Sequence, residues 1–382
     1  MLDNLAAQYK YECVWDDNTI YLYFFIVIFT YIISAIKITT TSHFILRGHY
    51  HTEKKRSFIG LLLSFIILLI FAAFRDVGAD LQMYRMIYSR SLNDWNSSEG
   101  MEPGYLLLNA VIRFSGLNEF WGIGIISFIS YFLIYKAIYD NRRIINVGLG
   151  VLAFTALYYL QSFNLIRIYL AAAFLLYTSK YLFKLEYKKY AICILVTIAI
   201  HYSSCLMFVP LFLFYIFTKK RKIFYITFLA TCIIIYFATS IIDSLPIFSR
   251  YERYVADGTK DTNVGFMHFF INVPIFLLYF YAHHKKIKST YLSVLWVYSL
   301  MSLTFGVLSY KILMFGRSLV YFNILFILCI PYVLNRLKRR HDQFYMLIYS
   351  IYVIYLMFRF IVYLYSYLAS DGIMPYHMIE FS

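Results

Sequence analysis

The chain has 382 residues; 62% are hydrophobic, 21% aromatic and only 14% charged, and the formal net charge is +15. Such a composition excludes a soluble globular domain and a disordered chain. No nucleic-acid partner is needed to explain the charge, because lysine and arginine accumulate on the cytoplasmic side of membrane helices. The cysteines (Cys13, Cys193, Cys205, Cys232 and Cys329) fall in separate segments and form neither a disulfide framework nor a zinc motif.

Apolar runs of about 20 residues, long enough to cross ~30 Å of hydrocarbon at ~1.5 Å per residue, recur along the chain. The acidic start before Thr19 does not resemble a cleavable leader, so the first apolar helix, 19–38, is expected to stay. With basic clusters read as cytoplasmic, further spans are predicted at 58–75, 119–139, 144–162, 164–183, 190–204, 205–218, 222–242, 265–282, 290–310, 311–334 and 344–366. The clusters are Arg47 to Arg56, Arg142 and Arg143, Lys184 to Lys189, Lys219 to Lys222, Lys285 to Lys288, and Arg336 to Arg340. Both termini then face outward. The prediction is an all-α polytopic integral membrane protein of about 11–13 transmembrane or half-membrane helices, forming a single transmembrane domain over residues 1–382.

Two outer segments, about 76–120 and 243–264, exceed ordinary helix connections and are functional candidates. In the first, Leu81, Tyr84 and Tyr88 recur at the spacing of an interfacial helix. The stretch from Tyr105 to Phe114 is apolar but too short to span, and is predicted to dip into the bilayer edge. The legs 190–204 and 205–218 are predicted to meet near His201, since one straight helix would carry basic clusters at both ends.

Outer-side cations are mostly arginines, with lysine confined to Lys10, Lys260 and Lys311. Arginine within the membrane is costly and demands a protein interior or an aqueous cavity, and its planar fork matches phosphate oxygens. Arg75, Arg167 and Arg317, at outer ends of spans, are therefore candidates for binding a phosphate-bearing ligand. Each has a plainer alternative: Arg75 paired with Asp76 at a helix end, Arg167 and Arg317 paired with an acid that only locks the bundle. In the string Phe74-Arg75-Asp76-Val77-Gly78-Ala79-Asp80, Gly78 permits positive φ or close backbone approach, and Asp80 shares a helix face with Tyr84. Asn164 and Arg167 also share a face. Arg250 and Arg253 lie in the second outer segment, as site residues or as ordinary surface charge.

Glu102 precedes Pro103, which suits either a catalytic carboxylate or a helix start. His201 can serve as a general base near neutral pH, or as a hydrogen-bonded structural residue. His43, His49 and His51 have metal-like spacing but no acidic or thiol partner except Glu53. Asp76 with Asp80, or Glu99 with Glu102, offers oxygens for a cation, yet neighbouring arginines are set to meet phosphate charge themselves. No metal or other cofactor is expected. Walker, dinucleotide-binding, Cys-x-x-Cys and nucleophile-elbow motifs are absent from the sequence.

Taken in order, Arg75-x-x-Gly78-x-Asp80-x-x-x-Tyr84, Glu102-Pro103-Gly104-Tyr105-Leu106-Leu107-Leu108-Asn109, Asn164-x-x-Arg167-x-x-Leu170-Ala171, His201-Tyr202-Ser203-Ser204, Gly316-Arg317 and Tyr321-Phe322 resemble the EpsG-like branch of the Wzy-type bacterial polysaccharide polymerases. The resemblance spans roughly 58–325; Ile168 stands where the family pattern leads one to expect a polar residue. It implies a GT-C-like membrane glycosyltransferase that joins undecaprenyl-pyrophosphate-linked oligosaccharide repeats, donor and acceptor, into O-antigen or another surface polysaccharide. The site would face outward from the bacterial cytoplasmic (inner) membrane, with membrane lipid and a chain-length regulator as candidate partners. The catalytic candidates are then His201 as base, with Asp80 and Glu102 on sugar hydroxyls. Arg75, Arg167, Arg317, Tyr84, Arg250, Arg253 and Asn164 would bind pyrophosphate and sugar. A flippase for the same lipid-linked sugars and an O-antigen ligase are the competing expectations.

Overall fold

The computed structural model describes residues 15–36, 38–46, 49–57, 59–89, 101–242, 262–309, 313–368 and 371–379. Each predicted span coincides with helix. In chain order these are α1 (Asp17–Ala35) and α2 (Ile59–Ala73), the short α3 (Leu81–Ser89) and α4 (Pro103–Phe114), then α5 (Glu119–Asp140), α6 (Val147–Phe154), α7 (Ile166–Phe183), α8 (Tyr187–Ile200) and α9 (Phe208–Lys219). They continue with α10 (Arg221–Ile242), α11 (Thr262–His284), α12 (Thr290–Leu308), α13 (Leu313–Asn323), α14 (Phe326–Arg339) and α15 (Tyr345–Tyr367).

The helical expectation is met, with one local addition. Between α1 and α2 the chain forms an antiparallel hairpin, β1 (Ile38–Leu46) and β2 (His49–Ser57), with Ile38 opposite Ser57 and Leu46 opposite His49. Its basic charge does not specify its backbone. The β-branched run Ile38-Thr39-Thr40-Thr41 does, because such side chains favour extended conformations.

Among the described residues, five helical stretches are individually long and apolar enough to cross a membrane: α1, α5, Tyr202–Lys219, α12 and Tyr345–Ser366. The pair α13 and α14, bent by 41°, makes a sixth if counted as one span. The chain is therefore a helical multi-pass membrane protein, but several predicted spans are shorter or interrupted. The 144–162 span is one: α6 runs into a π-helical turn (Thr155–Tyr159) and a 3-10 turn (Gln161–Phe163). The 243–264 segment lies outside the described residues apart from the start of α11.

Where a single transmembrane domain is expected, the packing gathers into two compact units. Unit 1 comprises Met1–Met101, Leu106–Ile166 and Val353–Ser382; unit 2 comprises Glu102–Tyr105 and Arg167–Tyr352. In unit 1, α1 packs on α2 and α6, while α5 packs on α2 and α3. Asp16 starts α1 by accepting hydrogen bonds from the Asn18 and Thr19 amides, which satisfies two otherwise orphaned donors. In unit 2, α12 lies against α9, α11, α13 and α14, with Leu295, Tyr298 and Met301 fully buried. Outward faces are apolar, as at Ile226, Ile234 and Leu277, as lipid contact requires.

Candidate functional site

Unit 1 holds the Arg75 string in a backbone lattice. Asp76 N–H donates to the His377 carbonyl at 2.9 Å, Gly78 N–H to Gly372 at 2.9 Å, and Ala79 N–H to Asp371 at 2.9 Å. Asn164 joins it: its Nδ2 donates to the Asp371 carbonyl at 2.6 Å, and its Oδ1 accepts from the Asp80 amide at 3.4 Å. Gly78 has φ +128°, and a Cβ there would sit 2.9 Å from Asn164 Oδ1. Both the conformation and the space demand glycine.

Arg75 is 2% exposed. Its guanidinium donates to the carbonyl of Ala72, to Ser127 Oγ at 3.5 Å and to the Phe163 carbonyl at 3.1 Å, and lies 4.7 Å from the Phe163 ring. The suggested pairing with Asp76 is corrected by the geometry. Asp76 instead meets Arg85 at 2.7 Å, and Arg85 also lies 4.5 Å from the Phe120 ring. Of the Arg75 carbonyl acceptors, Ala72 lies in the last turn of α2, and Phe163 ends the 3-10 turn just before Asn164.

Unit 2 builds a different cluster. Pro103 occupies the first helical position of α4, where its missing N–H and fixed φ cost nothing. The next residue, Gly104, sits so close to α8 that a Cβ would lie 2.7 Å from the Ala199 carbonyl oxygen. The start of α4 is thereby pressed against the end of α8, whose last residue is followed by His201 in an extended conformation (φ −154°, ψ 119°). Glu102 lands beside His201.

Glu102 is 3% exposed. Its Oε2 accepts from Arg167 Nη1 at 2.5 Å; its Oε1 lies 2.5 Å from His201 Nδ1 and accepts from the Tyr202 amide at 3.3 Å. Burial raises the Glu102 carboxyl, but the His201 hydrogen bond and the Arg167 charge outweigh it and leave the group below its usual range. It is therefore an ionised carboxylate, and the Nδ1 of His201 is the donor. In neutral imidazole that leaves the lone pair on Nε2. Arg167, at the start of α7, also lies 5.8 Å from the Tyr105 ring. Tyr321 on α13 is fully buried, with its hydroxyl 3.3 Å from Ser203 Oγ.

Of the predicted site residues, Glu102, Arg167 and His201 are thus brought together in unit 2. Arg75, Asp80, Tyr84 and Asn164 belong to unit 1, with Tyr84 buried on α3 and Asp80 half-buried. Arg317 is exposed on α13. Arg250 and Arg253 lie outside the described residues. Sequence reasoning set Glu102 on sugar hydroxyls, whereas both its oxygens engage protein donors. It gave no role to Ser203 or Tyr321, although Ser203 stands two residues after His201 and Tyr321 one helical turn after Arg317. Among the described residues, no group of three or more His, Cys, Asp or Glu is placed to hold a metal ion.

The described geometry can be set beside known proteins. A model of the EpsG family matches residues 58–378, which takes in both arginine clusters and the C-terminal segment 371–378 beyond the sequence motifs. No curated protein and no solved structure matches. With most of its length accounted for by that one model, the chain belongs to the EpsG family.

Proposed function

We propose that the chain is a membrane glycosyltransferase of GT-C-like architecture. It polymerises undecaprenyl-pyrophosphate-linked oligosaccharide repeats into O-antigen or another surface polysaccharide, on the outer face of the bacterial cytoplasmic membrane. The observation that carries this reading is the buried Glu102 carboxylate shared by Arg167 and His201. A carboxylate on Nδ1 fixes the ring and stabilises the imidazolium, so Nε2 becomes the base.

An acceptor sugar hydroxyl gives its proton to His201 Nε2 as its oxygen bonds to the anomeric carbon of the donor chain. The anomeric C–O bond to pyrophosphate breaks, and the leaving group takes the electron pair. Before transfer, the Glu102–Arg167–His201 cluster is neutral overall; on taking the proton it becomes cationic as the pyrophosphate anion is released. Charge complementarity therefore rises along the reaction coordinate, the condition for catalysis over uniform binding.

The test is chain-length analysis of surface polysaccharide in a deletion strain. His201→Gln and Glu102→Gln are each expected to abolish long polymer, by ~100-fold or more for loss of the base, while single-repeat product persists at normal protein levels. Loss of the single-repeat product as well would point to a flippase. Near-normal polymer in His201→Gln would remove it as the base.

A further inference from the structure

A second polar concavity lies at the other end of unit 2. A cavity of about 300 Å³ opens where α9 ends, α10 starts, α11 ends and α12 starts, and Arg221, His283, Lys288 and Ser289 line it together with Phe217 and Tyr279. Its position along the membrane follows from α7. That helix carries Arg167 in its first turn, and Leu185, just past its C-terminus, borders the cavity. Its 18 residues rise about 27 Å. The cavity therefore opens on the opposite membrane face from the Glu102 cluster, beside the basic runs Lys219 to Lys222 and Lys285 to Lys288 that mark the cytoplasmic side.

Its chemistry is one-signed. Arg221, His283 and Lys288 supply cationic or ionisable nitrogen, and among the described residues no carboxylate borders the cavity. Arg221 lies 5.1 Å from the Phe217 ring, and Tyr279 stacks between His283 and Trp296 at 5.9 and 4.3 Å. Arg221 and His283 are thus held against aromatic rings. The first turn of α12 ends at the cavity wall, where Ser289 accepts a hydrogen bond from the Leu292 amide, adding the positive end of a helix. Beside this polar opening, α10 exposes Ile226, Leu229 and Ile233, and α11 exposes Leu277 and Phe280.

A basic recess at the cytoplasmic membrane surface, continuous with exposed apolar helix faces, has the two-part chemistry of an anionic lipid site. We propose that this cavity binds a phosphate group, supplied by the headgroup of an anionic phospholipid whose acyl chains run along α10 and α11. The assignment is independent of the polymerase reading, since none of its residues belongs to the Glu102 cluster.

Full-length protein, delipidated in detergent and then incubated with phosphatidylglycerol or phosphatidylcholine, tests it by native mass spectrometry. Phosphatidylglycerol should remain bound and phosphatidylcholine should not. The double variant Arg221→Ala with Lys288→Ala should lower retention roughly tenfold or more, and Arg221→Lys should keep most of it. Lys219→Ala, which removes a charge from the same basic run but lies outside the cavity, should leave retention unchanged. Equal retention of the two lipids, or an equal loss in Lys219→Ala, overturns the site. Displacement of phosphatidylglycerol by millimolar inorganic phosphate supports the phosphate chemistry. Saturable phosphate binding without any lipid preference would overturn the lipid as its source. An unchanged thermal midpoint in the variants separates lost binding from lost folding.

Discussion

Two arginines at the ends of apolar helices, Arg75 and Arg167, look alike in sequence and are held in opposite ways. Arg75 in unit 1 is enclosed, facing backbone carbonyls, a serine hydroxyl and an aromatic ring. Arg167 in unit 2 meets a carboxylate that also holds a histidine, and its side chain keeps 16% of its exposure. A guanidinium spread over carbonyls from separate chain segments is a tie: five donors in a fixed fork saturate acceptors left over where helices break. A guanidinium paired with a carboxylate–histidine couple can respond to a change in charge. The partner set, rather than the arginine, distinguishes structure from chemistry.

That contrast fails first, if it fails, in the alanine variants. Arg75→Ala strands the acceptors of Ala72 and Phe163 and should cost about 3 kcal/mol, seen as a large fall in membrane protein level and thermal midpoint. Arg167→Ala should leave the protein present and remove long polymer, by roughly 100-fold or more. If Arg75→Ala protein accumulates normally yet makes no polymer, Arg75 acts in the chemistry too and the distinction collapses.

A smaller effect sharpens the unit 1 half. Gly78→Ala should lower stability by about 1–3 kcal/mol through its positive φ, and the added methyl meets Asn164 Oδ1. An unchanged melting temperature would mean that the lattice of 74–80 with 371–379 is not under the constraint described. On the unit 2 side, Tyr321→Phe removes one neutral hydrogen bond, to Ser203. It should cost about 0.5–1.5 kcal/mol, read as a several-fold drop in polymer yield with folding retained; a complete loss would promote Tyr321 from holding Ser203 to contacting substrate.

The smallest effect is acidic. The folded Glu102 carboxyl lies below its ordinary value of 4.5, so its ionisation favours the folded state. That contribution is complete above 4.5 and is lost as pH falls through the lower folded value. Thermal midpoints measured from neutral to acid pH should therefore drop less steeply for Glu102→Gln than for wild type. Parallel curves would mean that Glu102 is not the coupled group.

How much of this could be read from the residues follows from what each signal encodes. Hydropathy and charge encode which segments cross and on which side basic loops lie, and each predicted span coincides with helix. They do not encode breaks within an apolar run, so the π and 3-10 turns at 155–163 are not legible, and the hairpin at 38–57 is marked by its β-branched run rather than by hydropathy or charge. Glu102, Arg167 and His201 were legible as candidates because each is a polar group placed against its apolar surroundings. Their mutual arrangement was not: Glu102 and His201 are 99 residues apart, and the contact depends on Gly104 letting two backbones approach. Nor could the sequence separate Arg75 from Arg167, since its carbonyl partners are supplied by backbone, which every residue has.

The strand-like segment 371–379 has a consequence for biogenesis. Its Asp371, Gly372 and His377 carbonyls accept from the amides of Ala79, Gly78 and Asp76, about three hundred positions earlier in the chain. An inserting polypeptide must therefore leave the turn after α2 unfinished until residues 371–379 have been made. Quality control that senses exposed backbone would judge this protein on whether that late pairing has closed.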